Sequence, residues 1–156
     1  MDQQRRILLK STLAASATGM AISAGLLTPK AVLAAWNTSA FTAKNVNDAL
    51  TGAYGSTDIP ESDKIKLKAP ELAQSGSKVT LSVTSNLDKT ESISFLVKEN
   101  IQPLCATFNL GSRTEGYIST NVKIGKSSDV IAIVKADGKL YSIKQYVKVA
   151  IGGCGG

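Results

Sequence analysis

From Ile65 onward the apolar residues of this chain fall on alternate positions. Ile65 and Leu67 alternate with Lys64, Lys66 and Lys68. Val79, Leu81 and Val83 alternate with Lys78, Thr80, Ser82 and Thr84, and Ile93, Phe95 and Val97 with Ser94 and Lys98. A period of two is the mark of a strand with one buried face. Leu104, Ala106, Phe108 and Leu110 share one such face, which puts Cys105 on the opposite one with Thr107 and Asn109. Ile118, Thr120, Val122 and Ile124 share another. Asp129 to Ala136 is nearly continuous apolar, as in a strand covered on both sides. Tyr141, Ile143, Val147, Val149 and Ile151 form the last alternating face, opposed by Lys144 and Lys148, and Asp137-Gly138 before it is a type I′ hairpin signal. About seven short strands with regular turn signals predict an all-β fold, an immunoglobulin-like antiparallel β-sandwich.

Ahead of the strands the period is helical. Val46, Ala49, Leu50 and Ala53 recur at i, i+3, i+4 and i+7, which predicts one short helix over 42–55. Thr42 is the expected N-cap and Gly55 the expected stop. This helix packs on or beside the sandwich.

The first residues have a different grammar. Gln4-Arg5-Arg6-Ile7-Leu8-Leu9-Lys10 is followed by a small-residue, moderately apolar stretch from Ser11 to Leu27, then Val32-Leu33-Ala34-Ala35. That is the layout of an export signal, and the paired arginines resemble the twin-arginine type. Cleavage is expected after Ala34 or Ala35, with an uncleaved amphipathic anchor as the alternative. The expected division is therefore 1–34 signal peptide, 35–151 sandwich domain and 152–156 mobile tail. The expected location is the periplasm, where thiols tend to oxidise. No other stretch reaches membrane-spanning length.

Composition narrows the chemistry. Hydrophobic residues are 43% and charged residues 19%, as in an ordinary globular chain. There is no His, which excludes a Ser-His-Asp triad, a Cys-His pair and any His-ligated metal. With only Cys105 and Cys154, a Cys-only zinc or iron–sulfur site within one chain is excluded too. No metal or other cofactor is expected. The net charge is +6, but Arg5, Arg6, Lys10 and Lys30 lie in the leader, and the remaining lysines are scattered with few aromatics. A nucleic-acid surface clusters its cations and stacking rings, so none is expected here.

The segment Ile151-Gly152-Gly153-Cys154-Gly155-Gly156 follows the last strand directly. Four glycines offer nothing to bury, and ordering each residue costs about 1–2 kcal/mol. A thiol three residues beyond a strand stands about 10 Å from it on a narrow arm. No Lys, Arg or His flanks Cys154, so nothing local lowers its pKa. Such a thiol is a poor catalyst by itself and a good handle, because another protein's active site can receive and activate it. The alternative is a structural disulfide, with Cys105 as the possible partner or with a second chain. A terminal Gly-Gly also occurs in ubiquitin-like sulfur carriers, but the many strands and the absence of a mid-chain helix oppose that.

Several stretches together resemble the SoxY family, the sulfur-carrier subunits of the thiosulfate-oxidising Sox system. They are Ser127 to Ala132, Val134 to Lys139, Val147 to Val149, the Gly152-Gly153-Cys154-Gly155-Gly156 terminus, the segment Asn100 to Leu110 and the twin-arginine leader. The resemblance implies an immunoglobulin-like sandwich with an N-terminal helical segment, and a non-catalytic carrier whose matching residue is Cys154. It implies a heterodimer with a SoxZ-like subunit. It further implies transient meetings with the c-type cytochrome SoxAX, the manganese hydrolase SoxB and, in some systems, a sulfane dehydrogenase. Thiosulfate would be the compound joined to the thiol. Cys105 departs from the family pattern.

Overall fold

The computed structural model of the chain describes residues 37–150. Two helices, α1 (Thr38–Thr42) and α2 (Val46–Tyr54), precede eight strands. These are β1 (Ile65–Lys68), β2 (Leu72–Ala73), β3 (Val79–Ser85), β4 (Thr90–Val97), β5 (Leu104–Asn109), β6 (Tyr117–Val122), β7 (Ser128–Ala136) and β8 (Lys139–Val149). They form one sheet in the order β1-β3-β6 and a second in the order β2-β8-β7-β4-β5. The inward residues of both sheets, among them Leu81, Val83, Phe95, Val97, Val130 and Val134, make one fully buried core. Phe95 and Phe108 meet edge to face inside it, at 6.2 Å and 85°. The protein is an immunoglobulin-like β-sandwich, as the alternation predicts.

A third layer explains β4 and β7. Leu96, Leu104 and Ile133 point to the other face of the five-stranded sheet, where Ala40, Ala49 and Leu50 of the helices cover them. Strands buried on both faces lose their alternation, which is why Asp129–Ala136 reads as nearly continuous apolar. The buried hydroxyl of Ser94 is satisfied within this layer by Tyr54 Oη at 2.5 Å and Thr107 Oγ1 at 2.8 Å. Burial raises the Tyr54 pKa, and the bond with Ser94 opposes that only in part.

The helical segment corrects the sequence expectation. In place of one helix capped by Thr42 there are two, and Thr42 is the last residue of α1. Asn45 caps α2, its side-chain oxygen accepting from the Asp48 N–H at 2.8 Å. Gly55 ends α2 with φ +72°, as expected. Asn37 caps α1 and also donates through Nδ2 to the Gly52 carbonyl. A Cβ on Gly52 would stand 3.0 Å from the Ala40 nitrogen, so this glycine sets how closely the helices approach.

β2 corrects the expectation of a purely antiparallel fold. It pairs in parallel with β8, Leu72 opposite Lys148 and Ala73 opposite Val149. The β7–β8 hairpin agrees with the sequence. Asp137 and Gly138 have φ of +47° and +72°, as a type I′ turn needs, and Glu91 accepts the Gly138 N–H at 2.7 Å. Glu91 also pairs with Lys135 at 2.8 Å, and these two bonds hold its carboxyl below the usual range.

Candidate functional site

The end of the sandwich where β8 stops is built as an anchor. The Ala150 N–H donates to the Ala73 carbonyl and the Lys148 N–H to the Glu71 carbonyl, both at 2.9 Å. On the other side the Val149 N–H donates to Ser127 Oγ at 2.9 Å. Gly76 closes the corner. Its carbonyl accepts from the Ile124 N–H at 2.7 Å, and a Cβ on it would collide with the Ile124 carbonyl oxygen and crowd Val149 Cγ1. Backbone satisfied on both flanks keeps the strand ordered to its last residue. Whatever follows Ala150 therefore starts from a fixed point. Cys154 and its glycines Gly152, Gly153, Gly155 and Gly156 lie outside the described residues, as do the leader 1–34 and its cleavage site.

Cys105 is described, and its surroundings correct the sequence reading. The β4–β5 register slips between Phe95 and Leu96: Phe95 faces Ala106, but Leu96 faces Leu104. Cys105 is the extra residue of a β-bulge. The bulge turns Leu104 to the helix side and Cys105 onto the sandwich core, the reverse of strict alternation. The thiol is free and half-buried. It donates to the Pro103 carbonyl at 3.4 Å, and Asn100 Nδ2 lies 3.7 Å from the sulfur. Burial pushes its pKa up, with hydrogen bonds from Asn100 and at Val97 opposing in part. A half-buried thiol held protonated is a weak nucleophile. Asn100 is the residue that sequence reasoning passed over. Its side chain donates to the Lys123 carbonyl at 2.8 Å and accepts from the Gly125 N–H at 3.0 Å, tying the β4–β5 loop to the β6–β7 loop. Nothing in the local sequence marks those distant partners. Among the described residues no group of three His, Cys, Asp or Glu could hold a metal ion, and no helix is long and apolar enough to cross a membrane.

Comparison with known proteins places this architecture. The family model for sulfur oxidation protein SoxY matches residues 50–154, a span that includes both cysteines. The solved structure of the sulfur carrier protein SoxY from Chlorobium limicola f thiosulfatophilum is 33% identical at a TM-score of 0.62. The match covers 69% of this chain and 97% of that one. A superoxide reductase (neelaredoxin) from Ignicoccus hospitalis matches at 16% identity and a TM-score of 0.50, over 66% of this chain and 91% of that one, a likeness of fold alone. No curated protein sequence matches. The chain belongs to the SoxY family of sulfur oxidation proteins.

Proposed function

We propose that this protein is a covalent sulfur carrier of thiosulfate oxidation in which Cys154 is the attachment point. One observation carries the reading: an anchored strand end at Ala150 leads into Gly-Gly-Cys-Gly-Gly, within a family match that runs to residue 154. The protein from Chlorobium limicola is named a sulfur carrier, which agrees. Gly152, Gly153, Gly155 and Gly156 give the arm reach and a narrow profile, so that it passes into an enzyme channel that would exclude a Cβ. Cys154 has no activating neighbour in sequence, so each partner enzyme supplies the activation and the chain itself is not a catalyst.

The chemistry balances as follows. The thiol and thiosulfate join with loss of one proton and two electrons, which pass to a c-type cytochrome of the SoxAX kind, giving a thiosulfonate on sulfur. A SoxB-like hydrolase then adds water, releasing sulfate and two protons and leaving the persulfide anion. A sulfane dehydrogenase, where present, oxidises that remaining sulfur to a sulfonate with three waters, releasing six protons and passing six electrons to a cytochrome acceptor. We infer a heterodimer with a SoxZ-like subunit and export to the periplasm by the twin-arginine route, which carries folded proteins and so can take a leaderless partner along. The competing reading, a binding or structural module stapled through Cys154, is disfavoured by Cys105, whose sulfur is half-buried and directed to Pro103.

Exchange of Cys154→Ser tests the proposal. The variant is expected to keep its melting temperature and to abolish thiosulfate-dependent cytochrome reduction in the reconstituted system. A structural staple would give a lowered melting temperature with turnover retained.

A further inference from the structure

The end of the sandwich that carries Ala150 is a hydrogen-bonded ring of loops. Asn100 ties the β4–β5 loop to the β6–β7 loop, and the Glu99 N–H donates to Ser128 Oγ at 3.0 Å. Ser127 passes the contact on to Val149, and the Ala73 and Gly76 carbonyls complete the ring from the β2 side. Five exposed lysines stand on these loops: Lys78, Lys98, Lys123, Lys126 and Lys148. Asp129 pairs with Lys98 at 3.9 Å. The ion pairs among the described residues use none of the other four. Against them the loops carry only Glu71 and Glu99. At the opposite end, segments 55–64, 86–89, 110–116 and 137–139 hold six carboxylates and four cations. The body is therefore polarised, positive where the arm leaves and negative at the far end.

Ile101 stands at the edge of this collar. It is 81% exposed, more than any other large apolar side chain among the described residues. Its loop is pinned, because the Asn100 N–H donates to the Val97 carbonyl at 3.2 Å while the Asn100 side chain grips Lys123 and Gly125. An aliphatic side chain on a pinned loop offers apolar area without the ordering cost that a loose loop meets on binding. β4 lies two strands from β8, so this loop leaves the sheet about 10 Å from the root of the arm. Four extended residues from Ala150 to Cys154 reach about 14 Å. A protein that takes Cys154 into a channel therefore meets the lysines and Ile101 with the rim of that channel.

We propose that Lys78, Lys123, Lys126 and Lys148, with Ile101 beside them, form a docking surface for an enzyme whose channel mouth is rimmed by carboxylates and has an apolar depression for Ile101. The inference rests on the carrier reading above and adds the recognition chemistry that a glycine arm lacks. The polarity of the body turns the arm end toward such a rim before contact and raises the encounter rate. Ile101 then supplies the short-range contact. The collar loops hold no aromatic ring, so they lack the stacking platform of a single-stranded nucleic-acid surface. Because the lysines are exposed, their attraction weakens as salt rises.

The test measures turnover in the reconstituted thiosulfate-oxidising system against carrier concentration and ionic strength. For the native chain kcat/KM is expected to fall about tenfold between about 20 and about 200 mM salt. Lys123→Gln with Lys126→Gln and Lys148→Gln should give the low value at both salts, the loss falling on the KM for the carrier. Ile101→Ser should raise that KM about tenfold and keep the salt dependence. Melting temperature and the rate of Cys154 alkylation by iodoacetamide check that fold and arm are intact in each variant. In a second measurement Cys154→Ser protein is added as a competitor. It should inhibit the native carrier, and should lose that inhibition when it also bears the three Gln exchanges. A salt-independent kcat/KM, an unchanged KM in either variant, or equal inhibition by the two competitors would overturn the proposal. So would a change in the KM for thiosulfate alone, which makes the collar a trap for the small anion. Binding to phosphatidylglycerol vesicles that the exchanges abolish, with kinetics unchanged, would assign the collar to a membrane and overturn it too. In each of these cases Cys154→Ser stays inactive, whereas failure of the carrier reading appears as turnover by Cys154→Ser.

Discussion

The Cys105 thiol sits behind a β-bulge with its hydrogen turned to the Pro103 carbonyl, and its pKa is raised by burial. Cys154 sits between glycines with nothing in sequence to bury it. A limiting alkylating agent at neutral pH should therefore modify Cys154 first and Cys105 more slowly, since burial both holds the Cys105 thiol protonated and shields its sulfur. Peptide mapping over time checks this, and equal rates would contradict it. The same burial gives a pH signature. A folded pKa above the unfolded one means that the fold favours the protonated thiol. The contribution is complete below the ordinary thiol value of about 8.5 and is lost as pH rises through the raised folded value. Tyr54 adds a similar loss at higher pH. Cys105→Ala should thus lose less melting temperature than the native protein over the first alkaline step; parallel curves would remove the assignment. Alternation along the strand put Cys105 on a sheet face but chose the wrong one. The slip of register between Phe95 and Leu96 belongs to the pairing of two strands, and no single strand carries a mark of it.

At the level of elements, the periods that extend over a full turn or several alternations were legible. β1, β3, β8 and the face of α2 follow them, while β7 shows instead the unbroken apolar run of a strand covered on both sides. β2 has two residues, too few to show any period, and its parallel pairing depends on where β8 ends. α1 has five residues and fails for the same reason. Thr42 and Asn45 are both capping types, and the side-chain contact from Asn45 to the Asp48 amide decides between them. Two glycines separate conformational from steric demands. Gly138 has φ +72° and open space where a Cβ would go. Gly138→Ala should cost about 1 kcal/mol, from backbone strain alone. Gly76 has its Cβ position against the Ile124 carbonyl. Gly76→Ala should cost more than about 2 kcal/mol, and should loosen the anchor beneath Ala150 as well. Urea unfolding of both variants ranks them; the reverse order would show that the corner at Gly76 is not under the constraint described.

On the scale of the molecule, three layers pack into a body whose one end holds Lys148, Val149 and Ala150 from two sides. The Gly-Gly-Cys-Gly-Gly segment stands out in the sequence because its composition breaks every rule of a packed domain. The anchor under it could not, because Ala73, Gly76 and Ser127 acquire that role only when β2, β6 and β8 come together. The account stands on Cys154 as the site where sulfur cargo is bound. Intact-mass and peptide mass spectrometry of the protein isolated from cells oxidising thiosulfate measures this most directly. The expected result is a set of sulfur and sulfonate additions, removed by reductant, confined to the peptide bearing Cys154. An unmodified Cys154 under turnover, or a Cys105–Cys154 disulfide in its place, would contradict it.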